Sequence, residues 1–330
     1  MSEPGYEILS IDGLDRASRA SGEPVLRPLG RRLGFRPFAV DCLTADGAGG
    51  HLIDRHDERG GAEELYVVVR GRALFTVEDR EIDAPARTLV YAPPGTMRDA
   101  IATEKGTIVL AAGAERSTKP LKSSSAHIDE LDAIELPDGF VWRPVRRHFG
   151  IRAFGVNAYT AREAGGPIVE EHTESRLGHE EIYLVLRGRA LFTVDGNEHE
   201  LVAGQLVFVR DPSLARGAIA LDGETAVLAL GGKPGEPHTV SAWEAMFAAV
   251  PAAQEERWDE AIAIHEEALV EQPEHPALLY NLACMEARAG RHLDALLRLK
   301  RAVALEPQWG EHAREDSDFA AIRHEPGFPA

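Results

Sequence analysis

The chain has 330 residues, of which 36 are basic and 54 acidic, and its formal net charge is −18. This acidic balance excludes nucleic acids and anionic membranes as expected partners, because phosphate binding needs a basic surface. Cys42 and Cys284 are the only cysteines, so neither a disulfide framework nor a cysteine-rich zinc site is expected. The sequence has no signal-peptide pattern and no apolar run long enough to cross a bilayer, so we expect a cytoplasmic protein.

One segment occurs twice. The residues Arg-Gly-Arg-Ala-Leu-Phe-Thr-Val stand at Arg70–Val77 and again at Arg187–Val194. The similarity around this segment covers residues 27–113 in the first copy and 143–232 in the second. An internal repeat of this length indicates that one domain has been duplicated.

Each copy is predicted to be β structure. The runs Leu65–Val69 and Ile182–Leu186 are short, β-branched and aromatic, and each is followed at once by the repeated segment. Two such runs separated by a glycine predict a hairpin. Further short runs follow, separated by Gly, Pro and Asp, and no helical period lies between them. This pattern is typical of a β-sandwich or a small barrel.

The glycines and acidic residues of the repeat resemble the cupin motifs. Glu64 and Gly71 have the spacing of the second half of the first cupin motif, and Glu181 and Gly188 repeat that spacing. The run from Ala86 to Gly95 resembles the start of the second motif. The chain is therefore similar to a bicupin, which implies two tandem jelly-roll barrels, over residues 1–120 and 121–238. One fold hosts many chemistries, so the resemblance is specific for fold and much less so for function.

The resemblance also supplies a test for a metal site. Metal-binding cupins hold their ion with two His and one Glu from the first motif and one His from the second. The second copy offers the four candidates His172, Glu174, His179 and Glu181, and the first copy offers only His56 and Glu58. The resemblance thus implies that any cofactor is a divalent transition metal (Fe, Mn, Ni or Zn) in the second barrel.

Arginine stands where each second-motif histidine is expected. These residues are Arg98 and Arg216, and a guanidinium repels a metal ion rather than binding it. An arginine in a barrel mouth beside a carboxylate and a tyrosine is suited to an anionic or hydroxylated small molecule. The predicted ligand-binding residues are Arg98, Arg216, Tyr66, Tyr183 and Glu64. The alternative is that both arginines lie on the barrel rim and face water.

The composition changes after a Gly/Pro-rich linker at residues 231–237, and the rest of the chain has helical spacing. Ala261, Ala268 and Pro273 recur 34 residues later as Ala295, Ala302 and Pro307, which is the period of tetratricopeptide repeats. Residues 239–330 are therefore predicted to form a small all-α, tetratricopeptide-like domain. Such repeats bind peptides or proteins or mediate self-association, so a protein partner and a homodimer are both hypotheses.

The predicted architecture is mainly β, with two tandem cupin barrels followed by the helical domain. Three functions remain open on the sequence alone. The first is a binding module for a small polar or anionic molecule, with a helical tail for protein contact. The second is a metal-dependent cupin enzyme, an oxygenase or isomerase, acting from the second barrel. The third is a scaffold whose barrels are purely structural.

Overall fold

A computed structural model describes residues 4–15, 24–45, 47–58, 60–115, 122–136 and 139–329. The chain divides into two compact units, residues 1–238 and residues 239–330. Within the described residues, no helix is both long enough and apolar enough to span a membrane.

The first repeat forms two antiparallel sheets. A six-stranded sheet has the order β11-β8-β5-β10-β3-β2, and a four-stranded sheet has the order β4-β9-β6-β7. The strands from the start of the chain are β1 (Tyr6–Ser10), β2 (Val25–Arg27), β3 (Ala39–Thr44), β4 (His51–His56), β5 (Ala62–Arg70), β6 (Arg72–Val77), β7 (Arg80–Pro85), β8 (Thr88–Ala92), β9 (Arg98–Ala102), β10 (Ile108–Glu115) and β11 (Ser124–His127).

The second repeat has the same plan. Its sheets have the orders β1-β19-β16-β21-β14-β13-β12 and β15-β20-β17-β18. The remaining strands are β12 (Ile134–Glu135), β13 (Val141–Arg143), β14 (Gly155–Ala161), β15 (Pro167–His172), β16 (Glu180–Arg187), β17 (Arg189–Val194), β18 (Asn197–Val202), β19 (Gln205–Val209), β20 (Arg216–Ala220) and β21 (Thr225–Gly232). Two short helices, α1 (Leu29–Leu33) and α2 (Val145–Phe149), occupy equivalent places in the two repeats.

The predicted hairpin in the repeated segment is wrong. Strand β5 pairs with β8 and β10, whereas β6 pairs with β7 and β9, so the two consecutive strands lie in different sheets. Gly71, with φ of 77°, carries the chain from one sheet to the other. A Cβ atom there would lie 2.5 Å from Thr107 Oγ1, so only glycine fits this corner. Gly188 makes the same turn in the second repeat, against Thr225.

The continuous apolar run of β5 is explained by burial on both of its faces. Leu65, Val67 and Val69 belong to a core that also contains residues of the second repeat, such as Leu184. Residues on the opposite face of β5, Tyr66 among them, pack inside the first sandwich. Alternate residues of a strand face opposite sides, so a strand buried on both sides loses its polar face.

The two repeats exchange strands. β1 precedes the first repeat but pairs with β19 of the second, with Tyr6 opposite Val209. Likewise, β11 precedes the second repeat but pairs with β8 of the first, with Ser124 opposite Tyr91. The predicted boundary at residue 120 lies outside the described residues, and the sheets on its two sides share strands across it. Each repeat thus adds one strand to a sheet of the other, as the two subunits of a two-fold symmetric dimer can do.

The second unit is helical. Its five main helices within the described residues are α3 (Ala242–Gln254), α4 (Trp258–Glu271), α5 (Pro276–Arg288), α6 (His292–Leu305) and α7 (Gln308–Glu315). The Ser241 hydroxyl accepts a hydrogen bond from the Trp243 amide and so caps α3. Small residues such as Ala261 and Ala295 are completely buried, which allows neighbouring helices to approach closely. The kinship of these helices to tetratricopeptide repeats stays a prediction.

Candidate functional site

Strands from both sheets of the second barrel bring the candidate site together. His172 ends β15, Glu181 lies at the start of β16, and Arg216 begins β20 opposite His172 in the ladder. Glu174 follows β15 in the loop. One ligand-type atom each from His172, Glu174 and Glu181 lies within 4.8 Å of the others. Residues far apart in sequence therefore meet because the strands place them at one end of the barrel.

The imidazole of His172 is held in a defined orientation. Its Nδ1 lies 2.7 Å from the Glu170 carbonyl oxygen, a contact that places the proton on Nδ1 when the ring is neutral. Its Nε2 lies 3.8 Å from Glu174 Oε1 and 3.6 Å from Glu181 Oε2. Nε2 also lies 3.3 Å from the Tyr183 hydroxyl. A backbone carbonyl that fixes one ring nitrogen is typical of metal-binding histidines.

Arg216 is buried but incompletely satisfied. Its Nη1 donates to the carbonyl oxygens of Leu214 (2.8 Å) and Pro212 (3.3 Å). Its Nε lies 3.1 Å from Glu181 Oε2 but outside hydrogen-bonding geometry, and its Nη2 has no hydrogen-bond partner among the described residues. Because the Arg216 side chain is 0% exposed, the alternative that it faces water is wrong.

The remaining predicted residues of this barrel surround the carboxylates. Tyr183 donates to Glu181 Oε2 at 2.6 Å. His179 Nδ1 lies 3.3 Å from Glu174 Oε2, while the other oxygen of Glu174 lies toward His172. The structure therefore places His179 against the outer oxygen of Glu174, beside the three-residue group and not within it. His179 is nearly buried, and its counterpart in the first barrel is Ala62.

Burial and the neighbouring charges shift the protonation of these groups. Burial and the charge of Glu181 raise the pKa of Glu174 to about 7. Burial alone would lower the pKa of His172, but its interaction with Glu181 outweighs this and leaves the pKa above its ordinary value. Burial alone would raise the pKa of Glu181, but His172 and Arg216 keep it below the usual range. Burial lowers the pKa of His179. The site therefore retains protons near neutral pH that a bound cation would displace.

The first barrel contains the equivalent cluster in a more fully paired form. His56 Nε2 lies 3.7 Å from oxygens of both Glu58 and Glu64, and its Nδ1 lies 2.6 Å from the Asp54 carbonyl oxygen. Every guanidinium nitrogen of Arg98 has a hydrogen bond. The acceptors are Glu64 (from Nε at 3.1 Å and from Nη2), Tyr66 (3.2 Å) and the Thr96 carbonyl oxygen (2.8 Å). Since its side chain is 0% exposed, Arg98 also does not face water.

Pro212 also shapes the second site, although no sequence pattern singled it out. Its carbonyl oxygen accepts hydrogen bonds from the Glu174 amide (2.8 Å) and from Arg216 Nη1 (3.3 Å). A backbone oxygen has no residue-type signature, so no sequence pattern could have singled it out.

Comparisons with known proteins place the fold. No known family model matches the chain, and no curated protein matches it. Protein Ylba from E. coli has a similar structure, with a TM-score of 0.52 and 16% identity over 70% of this chain and 92% of that one. A protein from Pseudomonas aeruginosa assigned as glyoxylate-induced has a TM-score of 0.55 and 16% identity, over 70% of this chain and 90% of that one. A mutant of Bacillus subtilis oxalate decarboxylase OxdC has a TM-score of 0.50 and 16% identity, over 74% of this chain and 82% of that one.

These structural neighbours are cupin-type proteins, and they define the class of fold. The first unit has a mainly β, cupin-type fold of antiparallel jelly-roll sheets, which confirms that part of the prediction. At 16% identity, the likeness shows the fold alone.

Proposed function

We propose that the second barrel binds a small polar or anionic molecule and that Arg216 is its anchor. The supporting observation is the buried Nη2 of Arg216, a charged donor without a hydrogen-bond partner in the described part of the chain. Leaving a buried charged donor unsatisfied costs free energy, which a ligand carboxylate or hydroxyl would recover. A carboxylate is the better match, because it can accept two hydrogen bonds from one guanidinium.

The first barrel is proposed not to take this ligand. All three guanidinium nitrogens of Arg98 already donate hydrogen bonds, to Glu64, Tyr66 and the Thr96 carbonyl oxygen. A ligand would have to break these bonds before it gained any of its own. Duplication would then have left one barrel that binds and one whose equivalent cluster is structural.

A second candidate function is a metal-dependent cupin enzyme, and the orientation of His172 favours it. One imidazole and two carboxylates suit a divalent Mn, Fe or Zn ion, and His172, Glu174 and Glu181 would hold it. The ion would supply Lewis acidity at coordination positions open to substrate. Arg216 would keep the Glu181 carboxylate ionised, and Tyr183 would orient it. His179 would lie beside the outer oxygen of Glu174, 3.3 Å from it but outside hydrogen-bonding geometry.

Two measurements separate these candidates. Metal analysis of the purified protein, with His172→Ala and Glu181→Ala as variants, tests the enzyme hypothesis. A stoichiometric transition metal that both variants lose would sink a metal-free binding module. A thermal-shift panel of small carboxylates tests ligand binding, with oxalate and glyoxylate included because cupin-type neighbours carry those names. If no panel member stabilises the wild type and no metal is present, the scaffold hypothesis gains.

For the helical unit we propose a role in protein contact. Two leucines on one face of α6, Leu293 and Leu297, are 78% and 66% exposed. Their spacing of four residues places them side by side on the helix. Acidic residues outnumber basic ones after residue 239, which favours a basic partner segment. Light scattering of the full chain and of a chain ending at Pro237 tests whether this unit mediates self-association, and an unchanged oligomeric state would count against that form of protein contact.

A further inference from the structure

One loop of the second barrel supports two of the proposed ligand-binding groups. We define this support loop as residues 210–215, between β19 and β20. Its Pro212 carbonyl oxygen accepts a hydrogen bond from the Glu174 amide at 2.8 Å and another from Arg216 Nη1 at 3.3 Å. Its Leu214 carbonyl oxygen accepts from the same Nη1 at 2.8 Å. The position of the support loop therefore sets where the Glu174 backbone and the Arg216 guanidinium lie.

The support loop is in turn held by the start of the chain. We define the N-terminal arm as residues 4–10, which comprise Pro4, Gly5 and β1. The Gly5 carbonyl oxygen accepts hydrogen bonds from the amides of Arg210 (2.9 Å) and Asp211 (3.0 Å). A Cβ atom on Gly5 would lie 2.9 Å from the Leu214 side chain, so arm and loop are in close contact. The arm thus contacts the support loop at Arg210, Asp211 and Leu214.

Arg210 joins three parts of the molecule at this point. Its guanidinium donates to the Pro4 carbonyl oxygen at 2.7 Å and to the carbonyl oxygen of Leu33, the last residue of α1. It also lies over the Phe208 ring, 5.0 Å from the ring centroid. Cationic donors near the end of a helix satisfy carbonyls that have no intrahelical partner. The aligned residue of the first barrel is Pro93, which has no such side chain, so this connection belongs to the second barrel alone.

We propose that Arg210 and the N-terminal arm are positioning elements of the second-barrel site. Through the support loop they fix Glu174 and Arg216 at the spacing the ligand requires. The arm belongs to the first half of the sequence, so ligand binding in one repeat depends on a strand donated by the other. This inference rests on the proposed function, because it concerns the same site.

The test compares two arginine variants that both contact the arm. Arg210→Met keeps an apolar stem over Phe208 but removes the donors to Pro4 and Leu33. The control, Arg32→Met, removes an exposed ion pair of 2.6 Å to Glu7 in β1 but touches no part of the support loop. Hydrogen exchange of the Glu174 amide is the first readout and needs no ligand. The affinity for oxalate, measured by calorimetry on the full chain, is the second, and the melting temperature of each variant is recorded alongside.

Loss of a group that orients a binding residue weakens affinity by about 10-fold or more. We therefore expect Arg210→Met to raise the oxalate Kd about 10-fold and to speed exchange of the Glu174 amide. Arg32→Met should leave both readouts within about two-fold of wild type. Unchanged exchange and unchanged affinity in Arg210→Met would overturn the proposal, as would equal effects in both variants.

Two further outcomes are also decisive. If Arg210→Met does not fold, Arg210→Lys retains the charge with a single donor group and should show the same changes at smaller amplitude. Arg210→Lys lacks the planar guanidinium that donates to both Pro4 and Leu33, so unchanged exchange and affinity in this variant would contradict the proposal. If wild-type protein binds no member of the carboxylate panel, the proposed function fails, while the exchange of the Glu174 amide still decides whether Arg210 positions the loop.

Discussion

The two barrel arginines provide matched substitutions whose effects on stability should differ. Arg98→Met removes a buried guanidinium with a full set of hydrogen bonds and leaves the Glu64 carboxylate, 19% exposed, with Tyr66 and the more distant His56. Breaking a buried ion pair costs about 3–5 kcal/mol, and the partial exposure of Glu64 places the expected cost near the lower end, at about 3 kcal/mol. The large cost arises because one carboxylate loses its main partner.

Arg216→Met should cost less. It also removes a buried charge, but two of the three nitrogens of that guanidinium lack hydrogen bonds. Glu181 keeps Tyr183 at 2.6 Å and His172 at 3.6 Å. Relief of the unsatisfied donor offsets part of the loss, so the expected net cost is about 1 kcal/mol.

Differential scanning calorimetry at about pH 7.5 measures the contrast on the barrel transition. For a unit of this size, 1 kcal/mol corresponds to a shift in Tm of about 2–4 °C. Arg98→Met should therefore lower Tm by about 6–12 °C and Arg216→Met by about 2–4 °C. Equal shifts, or a larger shift for Arg216→Met, would refute the argument that only Arg98 is fully engaged in structural contacts.

Three further predictions concern other buried groups. Glu286 is 3% exposed, and burial raises its pKa to about 7, so the folded protein retains its proton and the free energy of unfolding falls as pH rises from about 4.5 to 7. Glu286→Gln should flatten this pH dependence and add up to about 3 kcal/mol of stability at pH 8, measured by thermal unfolding. A less stable variant would contradict the argument. Gly188→Ala should cost about 1–3 kcal/mol in urea unfolding, because φ is 73° and Thr225 leaves no space, while Gly235→Ala, with the same φ and open space, should cost less. Glu63→Gln should cost about 1–3 kcal/mol in the same assay, because the Glu63 carboxylate accepts hydrogen bonds from two backbone amides of the second repeat and from the Tyr91 hydroxyl. An unchanged stability would show that this contact does not hold the repeats together.

The sequence allowed the repeated barrels to be predicted because duplication left identical residues at Arg70–Val77 and Arg187–Val194. It did not predict how consecutive strands pair. A glycine between two apolar runs is compatible with both a hairpin and a corner between sheets, and only the space against Thr107 distinguishes them. The exchange of β1 depends on pairing Tyr6 with Val209, across a separation that no local pattern encodes.

Only part of the candidate site could be predicted from the sequence. Residue types and motif spacing predicted Arg216 and Tyr183 as ligand-binding residues and Glu181 as a metal ligand. The structure places the three side chains beside one another, and their roles stay predictions. The difference between the barrels could not be predicted, since Arg98 and Arg216 occupy equivalent positions in the alignment. It arises from which acceptors each guanidinium reaches, and those include backbone oxygens such as Pro212. Arg210 was missed because its role depends on the arm folding over the support loop.

The most direct test of the central claim is the number of oxalate molecules bound per chain, measured by isothermal titration calorimetry on wild type, Arg216→Met and Arg98→Met. One site per chain is expected in the wild type. It should be abolished in Arg216→Met and retained in folded Arg98→Met, because Nη2 of Arg216 is a buried donor without a hydrogen-bond partner among the described residues. Two sites per chain, or a single site that survives in Arg216→Met, would contradict the account.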